Sequence, residues 1–260
     1  MRKKFFLRTA AVILCLAIMM ILPTGCAQRR KTLSIGFDKA FPPYTYEENG
    51  EFIGFDIEVA KAVCELEGWT AELKAINWDE KDSLLNSGEI DCIWSGFTIN
   101  GRENDYTISD PYCDNTYVVV VPKSSDITDL KGLSGKVVGV QAASSGAEYL
   151  NTNEKGKALA QSFKLLSQFT DFGGAFESLE KGVIDAVIID KSSGNYYAKN
   201  SKDELRILDE AVVDEKYGVA FKKGNTELCS IINADLKKLS ENGTIKALAE
   251  KYGILDFVCI

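Results

Sequence analysis

The apolar pattern of this chain switches between strand spacing and helix spacing along its length, and the whole series occurs twice. From Leu33 a short strand runs to Phe37, a proline-broken loop follows at Phe41-Pro42-Pro43-Tyr44, and Phe52 to Phe55 leads into an amphipathic helix starting near Asp56. Ile57, Val59, Ala60, Val63, Cys64 and Leu66 supply its core face, and Gly68 ends it. Thr70 to Ile76 reads as a strand, Trp78 to Ser87 as a helix closed by Gly88, and Ile90 to Trp94 as a buried strand. Tyr117 to Val121 is a valine-rich strand, and Pro122 marks a change of unit. From Lys136 the grammar restarts: Val137 to Val140 strand, Ser144 to Leu150 helix, Phe163 to Leu166 strand, Asp171 to Lys181 helix, Ile184 to Ile189 strand, Lys191 to Lys199 helix. Such alternation specifies an α/β fold. Tyr217 to Phe221 then returns as a strand, and the rest is mainly helical with breaks at Gly243 and Gly253. That tail is too short for a core of its own, so it is expected to pack on the first unit. The first unit becomes discontinuous, and two strands cross between two lobes.

Composition narrows the chemistry. With 45% apolar residues the chain can fill a core, which excludes a disordered or disulfide-dense class. It contains no histidine, so Ser-His-Asp and Cys-His constellations, HExxH zinc sites and histidine acid–base catalysis are excluded. An enzyme here would have to use carboxylates, lysine, tyrosine or a cofactor.

Residues 1–25 have the form of a secretory signal: a basic head of Arg2, Lys3, Lys4 and Arg8, then an apolar run from Ala10 to Leu22 that is short for a bilayer span. Pro23-Thr24-Gly25 leads to Cys26, similar to the lipobox of bacterial lipoproteins, in which that cysteine carries the lipid. The box departs from the usual form, with Pro23 where leucine is common, and ordinary cleavage nearby is the alternative. Residues 26–32 then form a lipidated tether. Without the signal, 26 basic residues face 38 acidic ones, a net charge of -12. Such a surface does not suit nucleic acid. The five later cysteines, Cys64, Cys92, Cys113, Cys229 and Cys259, are odd in number and lack a CxxC pair, so most read as free thiols, with Cys229–Cys259 the pairing left open.

Carboxyl ends of strands are where α/β sheets bind ligands. There the chain offers three complementary groups. Ser95-Gly96-Phe97-Thr98-Ile99-Asn100-Gly101-Arg102 brings a guanidinium with hydroxyls, Gln141-Ala142-Ala143-Ser144-Ser145-Gly146 turns into a helix N-terminus that favours an anion, and Asp190 adds a carboxylate. Each has a plainer reading: Arg102 as a solvated loop residue, Ser144 as a helix N-cap, Asp190 as a surface N-cap. Together they describe the two poles of an α-amino acid zwitterion, held by groups expected to stay charged across ordinary pH.

Gly54-Phe55-Asp56-Ile57-Glu58-Val59-Ala60, the Ile90-Asp91 strand leading into Thr98-Ile99 and Arg102, the Ser109-Asp110-Pro111-Tyr112 block, and Gly139-Val140-Gln141 with Ser144-Ser145 together resemble family 3 extracellular solute-binding proteins, receptors of polar amino acid ABC importers. The resemblance runs from about Leu33 to the last helix. It implies a two-lobed α/β periplasmic-binding-protein-like fold of type II, with lobes joined by two crossover strands and a ligand cleft between them. It implies lobe 1 at 33–115 plus 219–260 and lobe 2 at 116–218. By matched position, Arg102 clamps the ligand α-carboxylate with Thr98, Ser144 and Ser145; Asp190 takes the α-ammonium with groups around Ser95 and Gly96; and Asp38, Phe41 and Trp78 contact the ligand side chain. Asp56 is expected to organise the pocket wall and cap its helix. Two departures stand out. Thr98 to Arg102 is one residue shorter than the common spelling, with Asn100-Gly101 as a compensating turn, and Ala143 stands where glycine is common.

The implied function is capture of a free L-amino acid by lobe closure and delivery to a membrane permease. The protein would be a monomer, without cofactor or metal, lipid-anchored at the outer face of the cell membrane, or on the periplasmic side where there is an outer membrane. A cyclohexadienyl or arogenate dehydratase-like enzyme on the same fold, and a sensory amino acid-binding protein, are the alternatives.

Overall fold

Strand β1 (Thr32–Phe37) pairs in parallel along its whole length with β5 (Thr70–Ala75), and on its other side with β6 (Cys92–Thr98). The computed structural model describes residues 31–202 and 204–260, so the expected signal segment 1–25 and Cys26, the expected lipid site, lie outside the described residues. Between β1 and β5 come a three-stranded antiparallel sheet of β2 (Ala40–Phe41), β3 (Thr45–Glu48) and β4 (Glu51–Ile53), then helix α1 (Phe55–Glu67). A 3-10 turn at Trp78–Glu80 runs into α2 (Lys81–Ser87). Both helices end on left-handed glycines, Gly68 and Gly88, the conformation that glycine adopts without strain.

A short strand β7 (Tyr106–Ile108) precedes the long β8 (Cys113–Pro122). The second series is β9 (Val137–Gln141), α3 (Ser145–Thr152), α4 (Glu154–Ser162), β10 (Leu165–Phe169), α5 (Phe172–Glu180), β11 (Ala186–Asp190), α6 (Lys191–Asn200) and β12 (Leu205–Ile207). The equally long β13 (Val213–Lys222) leads to α7 (Thr226–Glu241) and α8 (Thr244–Tyr252).

All strands but the small three-stranded sheet join one ten-stranded sheet in the order β10-β9-β11-β8-β13-β6-β1-β5, with β12 added beside β8 and β7 beside β13. Its two outer portions are parallel, whereas β8 and β13 run antiparallel to each other and to their outer neighbours β11 and β6. The two α/β series therefore meet through these long strands, and residues Thr32–Ile260 pack as one unit. The C-terminal helices lie against α1: Ile232, Leu236, Ile245 and Ala249 share a buried cluster with Val59, Val63 and Cys64.

The structure corrects several sequence expectations. Leu66 does not join the core face of α1 but is 46% exposed, in the helix's last turn after Cys64, the last buried residue of that face. The buried strand expected at Ile90 to Trp94 begins two residues later and runs on to Thr98, which places Ser95, Gly96 and Thr98 within the strand rather than after it. Tyr46 is half-buried beside Tyr196. Cys229 and Cys259 are not bonded; all five described cysteines are free thiols, and only Cys259 is exposed.

Gly54 precedes α1 with φ 126°, and a Cβ there would meet the Tyr44 carbonyl oxygen at 2.2 Å. Gly54→Ala is expected to lose at least about 2 kcal/mol of stability, read from the urea midpoint, since both the backbone conformation and the contact are backbone-determined.

Candidate functional site

The carboxyl ends of β1, β6, β9 and β11 converge with the two crossing strands on one cleft of about 310 Å³. It is lined by Asp38, Phe41, Trp78, Ser95, Gly96, Thr98, Arg102, Tyr117, Gln141, Ser144, Ser145, Phe172 and Asp190. All ten side chains singled out in the sequence are therefore brought together. Tyr117, Gln141 and Phe172 were not among them.

Local structure explains each placement. Strand β6 is buried throughout, and Gly96 within it has φ 52°, a conformation shaped by the Phe41 ring, which a Cβ would meet at 2.5 Å. After Thr98 the chain reverses through Asn100-Gly101, where the Arg102 N–H donates to the Ile99 carbonyl at 3.1 Å and Asn100 Oδ1 accepts from the Lys216 N–H at 2.8 Å. This turn makes up for the short Thr98–Arg102 interval and delivers the guanidinium to the cleft, 4.8 Å from the Phe97 ring centroid. Arg102 also pairs with Glu148 of α3 at 3.1 Å.

On the opposite wall, Ala143 takes the left-handed φ of 55° that glycine would take freely, and Ser144 caps α3 by accepting from the Ala147 N–H at 3.1 Å. Ser144 is thus both the helix cap and a cleft residue. Thr98 Oγ1 stands 2.8 Å from Ser145 Oγ, and the Gln141 amide donates to Asp38 Oδ2, so hydrogen bonds tie the two walls together.

Asp190 occupies the N-cap position of α6 yet makes no capping hydrogen bond; it is 2% exposed and turned into the cleft. Its Oδ1 accepts from Asn115 Nδ2 at 2.7 Å and from the Tyr217 hydroxyl, while Oδ2 has no hydrogen-bond partner among the described residues. Burial, reinforced by the nearby Glu215 carboxyl, pushes Asp190 well above the usual carboxylate range, and burial likewise raises Glu215. The expectation that this pole stays charged at every ordinary pH took no account of a second carboxyl beside it, which with burial acts in the opposite direction. Asp38 is also raised by burial, against the hydrogen bonds from Ala40 and Gln141.

Asp56 organises the wall as expected: its Oδ2 accepts from the Gly96 N–H at 2.7 Å and the Tyr112 hydroxyl at 2.8 Å. It does not cap α1, since the N-cap is Gly54 and no side chain caps that helix.

Residues 33–254 match the family described as bacterial extracellular solute-binding proteins, family 3. The chain belongs to this family. It is 29% identical over 229 residues to the L-cystine-binding protein TcyJ of Escherichia coli K12, covering 86% of this chain and 84% of that one. Among solved structures, an ancestral arginine-binding protein bound to glutamine is 35% identical with a TM-score of 0.79, covering 86% of this chain and 99% of the other. The substrate-binding protein of an ABC uptake transporter from Streptococcus pneumoniae, with bound histidine, is 32% identical with a TM-score of 0.80, covering 85% and 92%.

In this solute-binding protein the unmarked cleft residues come from three places, Tyr117 from the crossing strand β8, Gln141 from the end of β9 and Phe172 from the start of α5, while Asn115 and Glu215 behind them belong to the crossing strands. β13 read as starting at Tyr217, so Glu215 was hidden, and the valines of β8 drew attention from Asn115 and Tyr117. Strand alternation was the available signal. Asn115 and Tyr117 are buried on one face while Asp114 is exposed, and Glu215 and Tyr217 are buried while Asp214 and Lys216 are exposed.

Burial raises Asp56 from 3.8 to about 7. The folded state holds this proton more tightly than the unfolded state, so the stabilisation is complete below about pH 4 and is lost as pH rises through about 7. Chemical denaturation across that window is expected to show wild-type stability falling with pH, and Asp56→Asn to flatten the fall by an amount on the order of a few kcal/mol.

Proposed function

We propose that this solute-binding protein captures a free L-amino acid between its lobes and hands it to the permease of an ABC importer. The observation that carries the reading is the arrangement of opposite poles in one buried cleft: the Arg102 guanidinium follows β6, and the Asp190 carboxyl ends β11 on the other side of the crossing strands. An α-carboxylate fits Arg102 together with the Thr98 hydroxyl and the start of α3 at Ser144 and Ser145. An α-ammonium fits the unpartnered Oδ2 of Asp190. Ser95 and Gly96 form the intervening wall, and Asp38, Phe41 and Trp78 bound the space for the side chain.

The relatives are described as binding cystine, arginine, glutamine or histidine, all bearers of the same two poles. We assign lobe 1 to 33–115 plus 219–260, lobe 2 to 116–218, a lipid to Cys26, and a monomeric exported protein held at the outer face of the membrane. Among the described residues no helix is long and apolar enough to cross a membrane. The role is binding without catalysis. A dehydratase on this fold would require a protonated carboxyl in the cleft, a part that Asp190 or Glu215 could play, and incubation with prephenate and arogenate separates the two readings: the binding role leaves both compounds unchanged.

A thermal-shift screen of the common L-amino acids and L-cystine is expected to give a selective rise in Tm, because ligand at about 100 times its Kd adds about 2.7 kcal/mol to the native state. Calorimetric titration of the responding amino acid should then show at least a tenfold loss, about 1.4 kcal/mol, in both Arg102→Ala and Asp190→Asn. Undiminished affinity in either variant would remove that residue from the site.

A further inference from the structure

The polar groups beneath the cleft follow from sheet register. In β8, Asn115 stands opposite Glu215 of β13, while Tyr117, two residues on and on the same face, stands opposite Asp190 of β11. The Asn115 amide lies between two acids and gives one hydrogen to each: 2.7 Å to Asp190 Oδ1 and 2.6 Å to Glu215 Oε1. Two carboxyl oxygens held by one nitrogen are closer than twice a hydrogen-bond length. Both acids are buried, at 2% and 6% exposure.

We propose, building on the amino-acid reading of this cleft, that Asp190 and Glu215 share one proton before ligand enters and that the incoming ammonium group expels it to solvent, making amino-acid capture proton-coupled. Glu215 is then a positioning residue, acting on the ligand through Asp190.

The surroundings leave this pair short of positive charge. From β8 come Asn115 and Tyr117; from β13, Tyr217; from the loop after β2, Tyr44; from β6 and its following turn, Thr98 and Arg102; and from α3, Ser145 and Glu148. Lys191, next to Asp190 in the chain, is exposed. Arg102 is the one cation in that set, and it already faces Glu148 at 3.1 Å. Thr98 donates to Glu215 Oε2 at 2.7 Å, and the tyrosines, whose own ionisation burial makes harder, add no positive charge, Tyr217 donating to Asp190 as a neutral hydroxyl. Burial and mutual repulsion therefore favour retention of one proton by the pair, in accord with the upward direction of both acids. A ligand ammonium at Asp190 Oδ2 supplies the missing positive charge. The proton then leaves to water or buffer, both carboxylates remain, and charge balances across the step.

The test is isothermal titration of the wild-type protein with L-arginine, L-lysine, L-glutamine and L-cystine between about pH 5 and about pH 7, where the amino and carboxyl groups of all four keep their charges in solution. Measurements in buffers of different ionisation enthalpy give the number of protons released. Expected is release approaching one proton, with affinity falling about tenfold per pH unit on the acid side of the pair's titration. Glu215→Gln, which keeps the shape but not the charge, should abolish both the release and the acid-side fall. Binding heats that do not depend on buffer, with affinity flat across the range, would overturn the proton coupling and leave the amino-acid reading intact. Where none of the four binds, the amino acid selected by the thermal-shift screen takes their place, and absence of binding by every common L-amino acid and L-cystine would overturn both.

Discussion

The antiparallel pairing of β8 with β13 is the interaction on which the rest of this structure depends. Both strands are ten residues long, and their ladder, Val213 opposite Tyr117 through Tyr217 opposite Cys113, lies in the middle of the sheet. On either side the sheet continues in parallel, so each α/β series presents the carboxyl ends of its strands to the same central gap. The alternation of side chains along this ladder does a second job. Asp114, Asp214 and Lys216 go to solvent, whereas Asn115, Tyr117, Glu215 and Tyr217 go inward, placing polar groups beneath a cleft whose walls are otherwise built from strand ends and a helix N-terminus. A strand that must connect two layers of apolar core carries polar residues on its buried face only where they find partners. Here those partners are one another, Asp190, Thr98 and Ser145.

The regular part of the architecture was legible because it rests on local chemistry. Gly68 and Gly88 end their helices in the left-handed conformation expected of them, and the apolar runs of β1, β9 and β11 are strands. Candidate cleft residues were legible for a related reason: they cluster at strand ends, so a few short motifs picked out ten residues that line one cavity. What escaped depends on non-local pairing. The start of β6 is set by its partners β1 and β13, not by its own apolar run, and β13 extends upstream to Val213 through pairing with β8 despite the charged Asp214, Glu215 and Lys216. Helix α4 went unread because its composition is mostly polar and its apolar stripe is narrow. Glu215 was invisible as a site residue for the same reason: only the register across three strands brings it near Asp190.

That proximity changes what the carboxyl end of β11 means. A lone aspartate beside a helix start would be stabilised as an anion by the helix dipole and would wait, charged, for an ammonium group. Two carboxylates about 5 Å apart at an effective dielectric of about 20 repel by roughly 3 kcal/mol, equivalent to about two pH units of proton affinity, before burial adds its own penalty. The Asn115 amide and the Tyr217 hydroxyl offset part of this with neutral dipoles, which stabilise an anion without cancelling its charge. Only a cation cancels it, and the guanidinium of Arg102 is engaged by Glu148 toward the cleft mouth. On the proposed reading, in which Arg102 and Asp190 hold the two poles of the ligand, the selectivity of such a cleft rests on its electrostatic incompleteness. A molecule bearing a carboxylate alone leaves the acid pair to hold its proton and gains only the Arg102 contact. A molecule bearing an amine alone meets the pair but leaves Arg102 without its second partner. The zwitterion satisfies both ends at once, and because each end is buried, the loss on removing either pole is the cost of an uncompensated charge rather than that of one surface ion pair.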